Sequence, residues 1–423
     1  MLKPLSPFDA YRTDLDRTNS RSEFGGSDTA WLLMAHCLNR LSRVGDSVRE
    51  QLARQSAEAL RDLRGSGSET PASSSQHATD FDRLIGGLTT IDSPMGADSV
   101  ARSVRGFSLR MSEAGALSVA YSLLGSARTA LTQSSDRERG LLAAEQARVA
   151  RLLGDLDSAD ELYRVSALIG ERASDSDLLS RSALGRGVLA RIRGNYPRAR
   201  MFFLEGLRLA RAAGSDELQY LGHQGMTIVS GVTGDFSAGI EHGWSAYELG
   251  AGDETREGES LTNLAHLCLD AGYPAAALRA FLSALSRSSV LRVRLPGLGG
   301  AALAAGRVGD RQRLDRLSDE ISRTVERSMM PYENAFALRN LAIAYQALGD
   351  DVTSERFRQV TLKIAREKGY HEIEVTTERA ELARSAPSSQ PRELEPKPQS
   401  LVFSLEQFEP EADEAAFAAT RWG

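Results

Sequence analysis

An all-α solenoid of stacked antiparallel helix hairpins is the fold class predicted by this 423-residue sequence, and three observations predict it. Glycine returns at near-constant intervals: Gly115, Gly154, Gly194, Gly234, Gly272, Gly309 and Gly349 lie 39, 40, 40, 38, 37 and 40 residues apart. A small residue usually stands five positions after each glycine and a large one nine after, as in Ala120 and Leu124, Ala159 and Tyr163, Ala199 and Phe203, and Ala277 and Phe281. Aromatic content of 6% and only 13 prolines suit a helix-rich chain. A period of this size marks supersecondary units that bury their apolar faces on one another, and such stacks more often present a surface than an active site.

The elements follow in order. Residues 1–27 are polar without a sustained period and are expected to be loose. Residues 28–97 predict one or more divergent helical hairpins, with Asp28 as candidate N-cap and Gly45-Asp46 as a turn; the Ser/Gly-rich stretch 65–78 interrupts them as a loop. From 98 to 384 the phase predicts about seven hairpins. In the clearest, Leu261, Leu264, Ala265 and Cys268 recur at helical spacing, Gly272-Tyr273-Pro274 interrupts, and Ala277, Phe281, Ala284 and Leu285 resume. Glycine reaches positive φ in the turn without steric cost, and proline suits the first turn of the next helix, where its missing N–H is not needed. Residues 385–400 carry four prolines and predict an extended linker, and 401–423 form an acidic-hydrophobic C-terminal segment.

At these residues the chain resembles the tetratricopeptide repeat (TPR) superfamily. Leu338, Leu341, Ala342, Tyr345 and Gly349 are similar to the family's first helix and turn; Gly154, Asp155, Ala159 and Tyr163, and Gly194, Asn195, Tyr196, Ala199 and Phe203, are similar to its turn and second helix. The resemblance spans roughly 98–384 and implies a right-handed superhelical array. It departs from the family in three places: the period exceeds the usual ~34 residues, Gly239 and Gly243 replace the expected small and aromatic pair, and so do Leu314 and Ser318. The longer period resembles extended repeats of bacterial regulatory and signalling proteins.

Composition narrows the setting. Cys37 and Cys268 give no disulfide framework, which suits a reducing compartment, and no apolar run has spanning length; the expectation is a cytoplasmic protein without a membrane partner. Only four of the 51 basic residues are lysines, a bias that suits a GC-rich, bacterial coding sequence.

Motifs for chemistry are wanting. Val290, Arg292 and Arg294 followed by Gly297-x-Gly299-x-x-Ala302 is similar to a dinucleotide-binding turn, but Pro296 intervenes and no βαβ unit surrounds it. The repeat phase places the same stretch on a helix. His266 and Cys268 are two apart on a helix and point to different faces, and no nucleophile sits in a recognisable elbow. No catalytic residue, cofactor or metal is therefore assigned.

What remains is binding. Between Arg181 and Arg211 stand eight arginines, including Arg181, Arg186, Arg193, Arg198 and Arg200, and one acid, Glu205. The block is either a subsite for an acidic segment or a solvated face paired with acids such as Glu161, Asp175 and Asp177. The segment 401–423 holds five acids and one arginine, with Leu401, Leu405 and Phe408 on one helical face. It is either a docking peptide, with the chain's own groove as one candidate site, or a capping helix or a tail with no role. The resemblance implies a concave groove lined by the first helix of each pair, at positions ten, six and three before each turn glycine. Arg148, Arg151, Arg191, Gln224, Thr262, His266, Arg339 and Gln346 fall there. Arginine there would make bidentate contacts with carboxylates. Exchanging Arg148, Arg151 and Arg191 for Glu is expected to abolish binding with little effect on melting. The expected function is a non-catalytic protein- or peptide-binding scaffold for an acidic partner. The alternatives are polyanion or nucleic-acid binding through 181–211, against which overall acidity weighs, and an enzyme with a site that no motif reveals.

Overall fold

The computed structural model describes residues 86–113 and 115–385, and it describes no side chains for 381–385. The expectations for 1–27, 65–78 and 401–423, and most of those for 28–97 and 385–400, lie outside the described residues.

After a single helical turn at 86–89, fifteen longer helices follow among the described residues: α1 (Pro94–Glu113), α2 (Leu117–Ala130), α3 (Asp136–Leu152), α4 (Leu156–Ala173), α5 (Ser176–Ile192), α6 (Tyr196–Ala213), α7 (Asp216–Thr233), α8 (Phe236–Leu249), α9 (Glu254–Asp270), α10 (Pro274–Arg287), α11 (Leu291–Val308), α12 (Arg311–Arg327), α13 (Pro331–Ala347), α14 (Asp351–Lys368) and α15 (His371–Ser385). No strand occurs among the described residues. The described residues divide into two compact units, one holding those up to Ala150 with Glu161–Leu178, the other Arg151–Asp160 with those from Leu179 to residue 385.

The turn chemistry explains the repeat. All seven phased glycines have positive φ, between 73° and 91°. An Asp or Asn often follows, as the N-cap of the second helix: Asn195, Asp235, Asp310 and Asp350 each accept a bond from the backbone N–H three residues on. At Gly272 the next residues are Tyr273 and Pro274, and Pro274 opens α10.

Packing explains the small and large positions. Ala199 and Ala277 are fully buried, and Phe203 and Phe281 fill the space one turn further on. The irregular copy at Gly234 is compensated by its neighbour. A Cβ at Gly239 would stand 2.9 Å from Leu267, and one at Gly243 would meet Leu264, so two leucines of α9 occupy the volume that an aromatic residue fills elsewhere. In the copy at Gly309, Leu314 is itself fully buried. A continuous apolar core runs through α9–α14 of the second unit, and a smaller one lies around Phe203, Leu207 and Met226.

The Gly-rich stretch after Pro296 lies inside α11. A Cβ at Gly299 would come within 2.8 Å of the Ala337 backbone, and one at Gly306 within 2.7 Å of the Ala344 carbonyl. These glycines let α11 and α13 approach backbone to backbone.

Candidate functional site

The second unit carries a series, or ladder, of polar side chains contributed by the first helix of successive pairs, with links from α7 to α9, from α9 to α11 and from α13 to α15. The Tyr220 hydroxyl on α7 donates to Glu259 on α9 at 2.8 Å. Gln224 donates to Ser260 at 2.7 Å and accepts from Asn263 at 2.5 Å. Arg292 on α11 pairs with the same Glu259. On α13, Arg339 donates to Thr376 of α15 at 3.1 Å and stacks on Phe336 at 4.4 Å.

One set of contacts breaks the nearest-neighbour rule of repeat arrays. Arg191 at the end of α5 donates from Nη1 to the Tyr332 hydroxyl and to Glu372 Oε2, each at 2.6 Å, across 141 and 181 residues of sequence. Tyr332 donates to the same Glu372 oxygen at 2.5 Å. Arg191 is 8% exposed and Glu372 5%. The turn at Gly154 lies alongside: a Cβ there would collide with the Tyr370 hydroxyl and stand 3.0 Å from Pro331.

The electrostatics follow from burial. Burial opposes the charge on Arg191, but the Glu372 carboxylate and the Tyr332 hydroxyl overcome it and raise its pKa. Burial also opposes the Glu259 carboxylate, and Arg292 and Tyr220 hold it below the usual range. Glu333 is different: burial pushes its carboxyl up, although Arg151, Arg292 and Arg191 pull the other way. His266, packed between Phe281 and Phe336, is pushed down to about 3 by burial and by Arg339.

The sequence-derived groove residues are therefore distributed unevenly. Arg191, Gln224 and Arg339 are members of the ladder, and Arg151 acts electrostatically on Glu259 and Glu333. Arg148 lies in the other compact unit and is paired with Glu145 on its own helix. Thr262 is buried, its hydroxyl donating to the Gly258 carbonyl of the preceding turn. Gln346 donates to the Ala380 carbonyl at 3.4 Å. Because Arg191 is buried against an acid, exchanging it for Glu would lower stability, contrary to the expectation of unchanged melting.

Arginines of the basic block are paired, with other acids than expected. Arg181 meets Glu217, Arg186 meets Asp160, Arg193 meets Asp157, and Arg200 meets Asp235. Arg186 and Arg198 flank the Phe202 ring at 4.6 and 5.5 Å. Asp175 and Asp177 are engaged by Arg137 instead. Sequence reasoning missed Tyr220, Glu259, Asn263, Arg292, Tyr332, Glu333 and Glu372. The signal was present as repeat-length spacing between partners, 39 residues for Tyr220 and Glu259 and 40 for Tyr332 and Glu372.

No protein-family model matches the chain, and no curated protein matches it. Among solved structures, it is similar to a Rap protein complexed with competence and sporulation factor, at 11% identity over 79% of this chain and 98% of that one, with a TM-score of 0.55. It is also similar to a signal-transduction ATPase with numerous domains that has a tetratricopeptide repeat sensor, from Pyrococcus horikoshii (15% identity, 84% and 56% covered, TM-score 0.43). A third is NprR in complex with its cognate peptide NprX (11%, 85% and 100%, TM-score 0.43). The turn glycines, the helix pairs and the likeness to the Rap protein agree: this chain has the TPR-like α-solenoid fold.

Proposed function

We propose that the chain is a non-catalytic adaptor, acting in a cytoplasmic setting, which binds a protein or peptide segment on the face formed by the first helices of its second unit. The observation that carries this is the ladder itself. Hydrogen-bonding side chains from α7, α9, α11, α13 and α15 succeed one another at repeat spacing, and an extended segment running across the helices would meet a new donor or acceptor at each step. That a Rap protein of this fold is complexed with a factor supports the reading.

An acidic segment is the partner we favour. Arg151, Arg191, Arg292 and Arg339 face three carboxylates, those of Glu259, Glu333 and Glu372, and burial holds Glu333 toward its neutral form. The chain's own residues 401–423, acidic and partly apolar, are a candidate occupant. A labelled peptide of that sequence, added at low salt to residues 1–386, tests this by anisotropy; no binding removes it.

The adaptor reading is tested by a pull-down from lysate of the source organism, with and without nuclease, alongside an Arg151→Glu variant. Proteins that survive nuclease and are lost with the variant support it. Recovery that depends on nucleic acid, or enrichment indifferent to Arg151, contradicts it.

A further inference from the structure

Among the buried polar atoms without a partner in the second unit, three lie close to one turn. Glu333 is 5% exposed and its Oε2 has no hydrogen-bond partner; the same holds for the hydroxyl of Tyr370, which is wholly buried, and for Nε of Arg151. The three converge. The Tyr370 hydroxyl lies against Gly154, three residues after Arg151, and Pro331, two residues before Glu333, lies against the same glycine. The Tyr370 and Tyr332 rings meet edge to face at 5.3 Å. No ion pair joins Glu333 to Arg151 among the described residues. Buried polar atoms without partners are costly and uncommon, so three in one place call for a ligand group that would satisfy them.

The donor inventory says which group. Arg151 offers N–H donors, Tyr370 an O–H, and Glu333 in its neutral form a second O–H. A ligand cation would have to sit among Arg151, Arg191 and Arg292. A carboxylate would accept from all three members and benefit from the guanidinium. We propose that Arg151, Tyr370 and Glu333 form a carboxylate-binding subsite, which takes an acidic side chain or the C-terminal carboxylate of the bound segment. The subsite rests on the peptide-binding reading above. Arg151 is partly exposed and is the member of the three open to solvent.

The subsite is pH-dependent in a defined direction. Around Glu333 stand Arg151, Arg191 on α5, Arg292 on α11 and Tyr370 before α15. Glu259 and Glu372 are engaged by Arg292 and Arg191. Burial raises the Glu333 carboxyl above its ordinary value, so its proton is present at lower pH and is lost as pH rises through that raised value. Two carboxylates cannot share the site once both are charged, and carboxylate binding weakens across that rise.

The test uses the full chain and fluorescein-labelled hexapeptide pools with one position fixed as Glu or as Gln. Each pool is made as the C-terminal acid and as the amide, and anisotropy is read at mildly acidic and mildly alkaline pH. Either Glu over Gln, or acid over amide, is expected to bind about tenfold tighter or more, a gap of about 1.4 kcal/mol, and which pair differs identifies the source of the carboxylate. Arg151→Gln should remove the preference. Glu333→Gln, which keeps an N–H donor, should retain it and lose the pH dependence. Tyr370→Phe, which keeps the ring, should weaken it; melting curves confirm that each variant is folded. A preference that survives Arg151→Gln, or a pH dependence that survives Glu333→Gln, overturns the subsite. Pools that bind with no carboxylate preference overturn the subsite alone, whereas no binding by any pool overturns the peptide reading as well.

Discussion

Removing Glu372 should destabilise the second unit far more than its place near the end of the array suggests. In the native state its carboxylate accepts from Arg191 and from Tyr332, and Arg191 and Glu372 are almost entirely withdrawn from water. Glu372→Ala leaves the Arg191 guanidinium buried beside a single hydroxyl, so the loss is the desolvation of an unpaired charge rather than the modest worth of an exposed ion pair. That places the cost at about 3–5 kcal/mol. Arg191→Met should cost a similar amount, since it strands the carboxylate and also removes the stacking on Tyr332 at 5.2 Å. The double variant Arg191→Met/Glu372→Leu should cost well under the sum of the two, with a coupling of about 1.5–3 kcal/mol. Urea unfolding followed by far-ultraviolet circular dichroism gives all three numbers. Single losses below about 1 kcal/mol that simply add would refute the buried clasp.

Four further outcomes follow from the packing and the titrating groups. Phe281→Ala, at a fully buried position in the α9–α14 core, should cost about 3–5 kcal/mol, and Ala277→Leu about 1–3 kcal/mol by overpacking the same hairpin; both are read from urea midpoints. Gly300→Ala drives a methyl into the Phe281 ring and should cost about 1–3 kcal/mol, a loss that Phe281→Leu partly relieves, and strict additivity of the two would contradict the contact. His223 is pushed down to about 4 by burial, by His242 and by Arg211, and it shares a 3.0 Å Nδ1···Nδ1 contact with His242. Its folded pKa lies below the unfolded value, so the unfolded chain binds the extra proton and stability is lost as pH falls from about 6.5 toward 4. Relative to wild type, His223→Gln should flatten that stretch by on the order of 2 kcal/mol, measured as the difference between their pH–stability curves.

The hairpin turns were legible in the sequence because only a residue tolerant of positive φ closes the first helix, and glycine leaves that mark every 37–40 residues. Turns between hairpins were not legible. Gly214 and Gly369 serve there, but Ser174 does so at φ 52° and Gly250-Ala251-Gly252 in another way, so no single letter repeats. The Gly239 and Gly243 copy looked defective because the compensating bulk sits on another helix, in Leu264 and Leu267. For the site, a rule of fixed offsets before each turn found Gln224, Arg191 and Arg339 but treated them as free donors. Whether a long polar side chain faces a ligand or a neighbour depends on what stands one repeat away, and an acid at that distance, such as Glu259 opposite Tyr220, carries as much information as the arginines. The contact of Arg191 with Glu372 joins elements separated by four hairpins, which no local pattern encodes.

The most direct test of the central claim is site-specific photocrosslinking in nuclease-treated lysate, with a crosslinking residue in place of Asn263 on the ladder and, separately, in place of the exposed Arg200 on α6. The account predicts discrete protein or peptide adducts from position 263, lost when an Arg151→Glu substitution is added, and none of the same adducts from position 200. Adducts that form only from position 200, or that form from 263 regardless of Arg151, would contradict it.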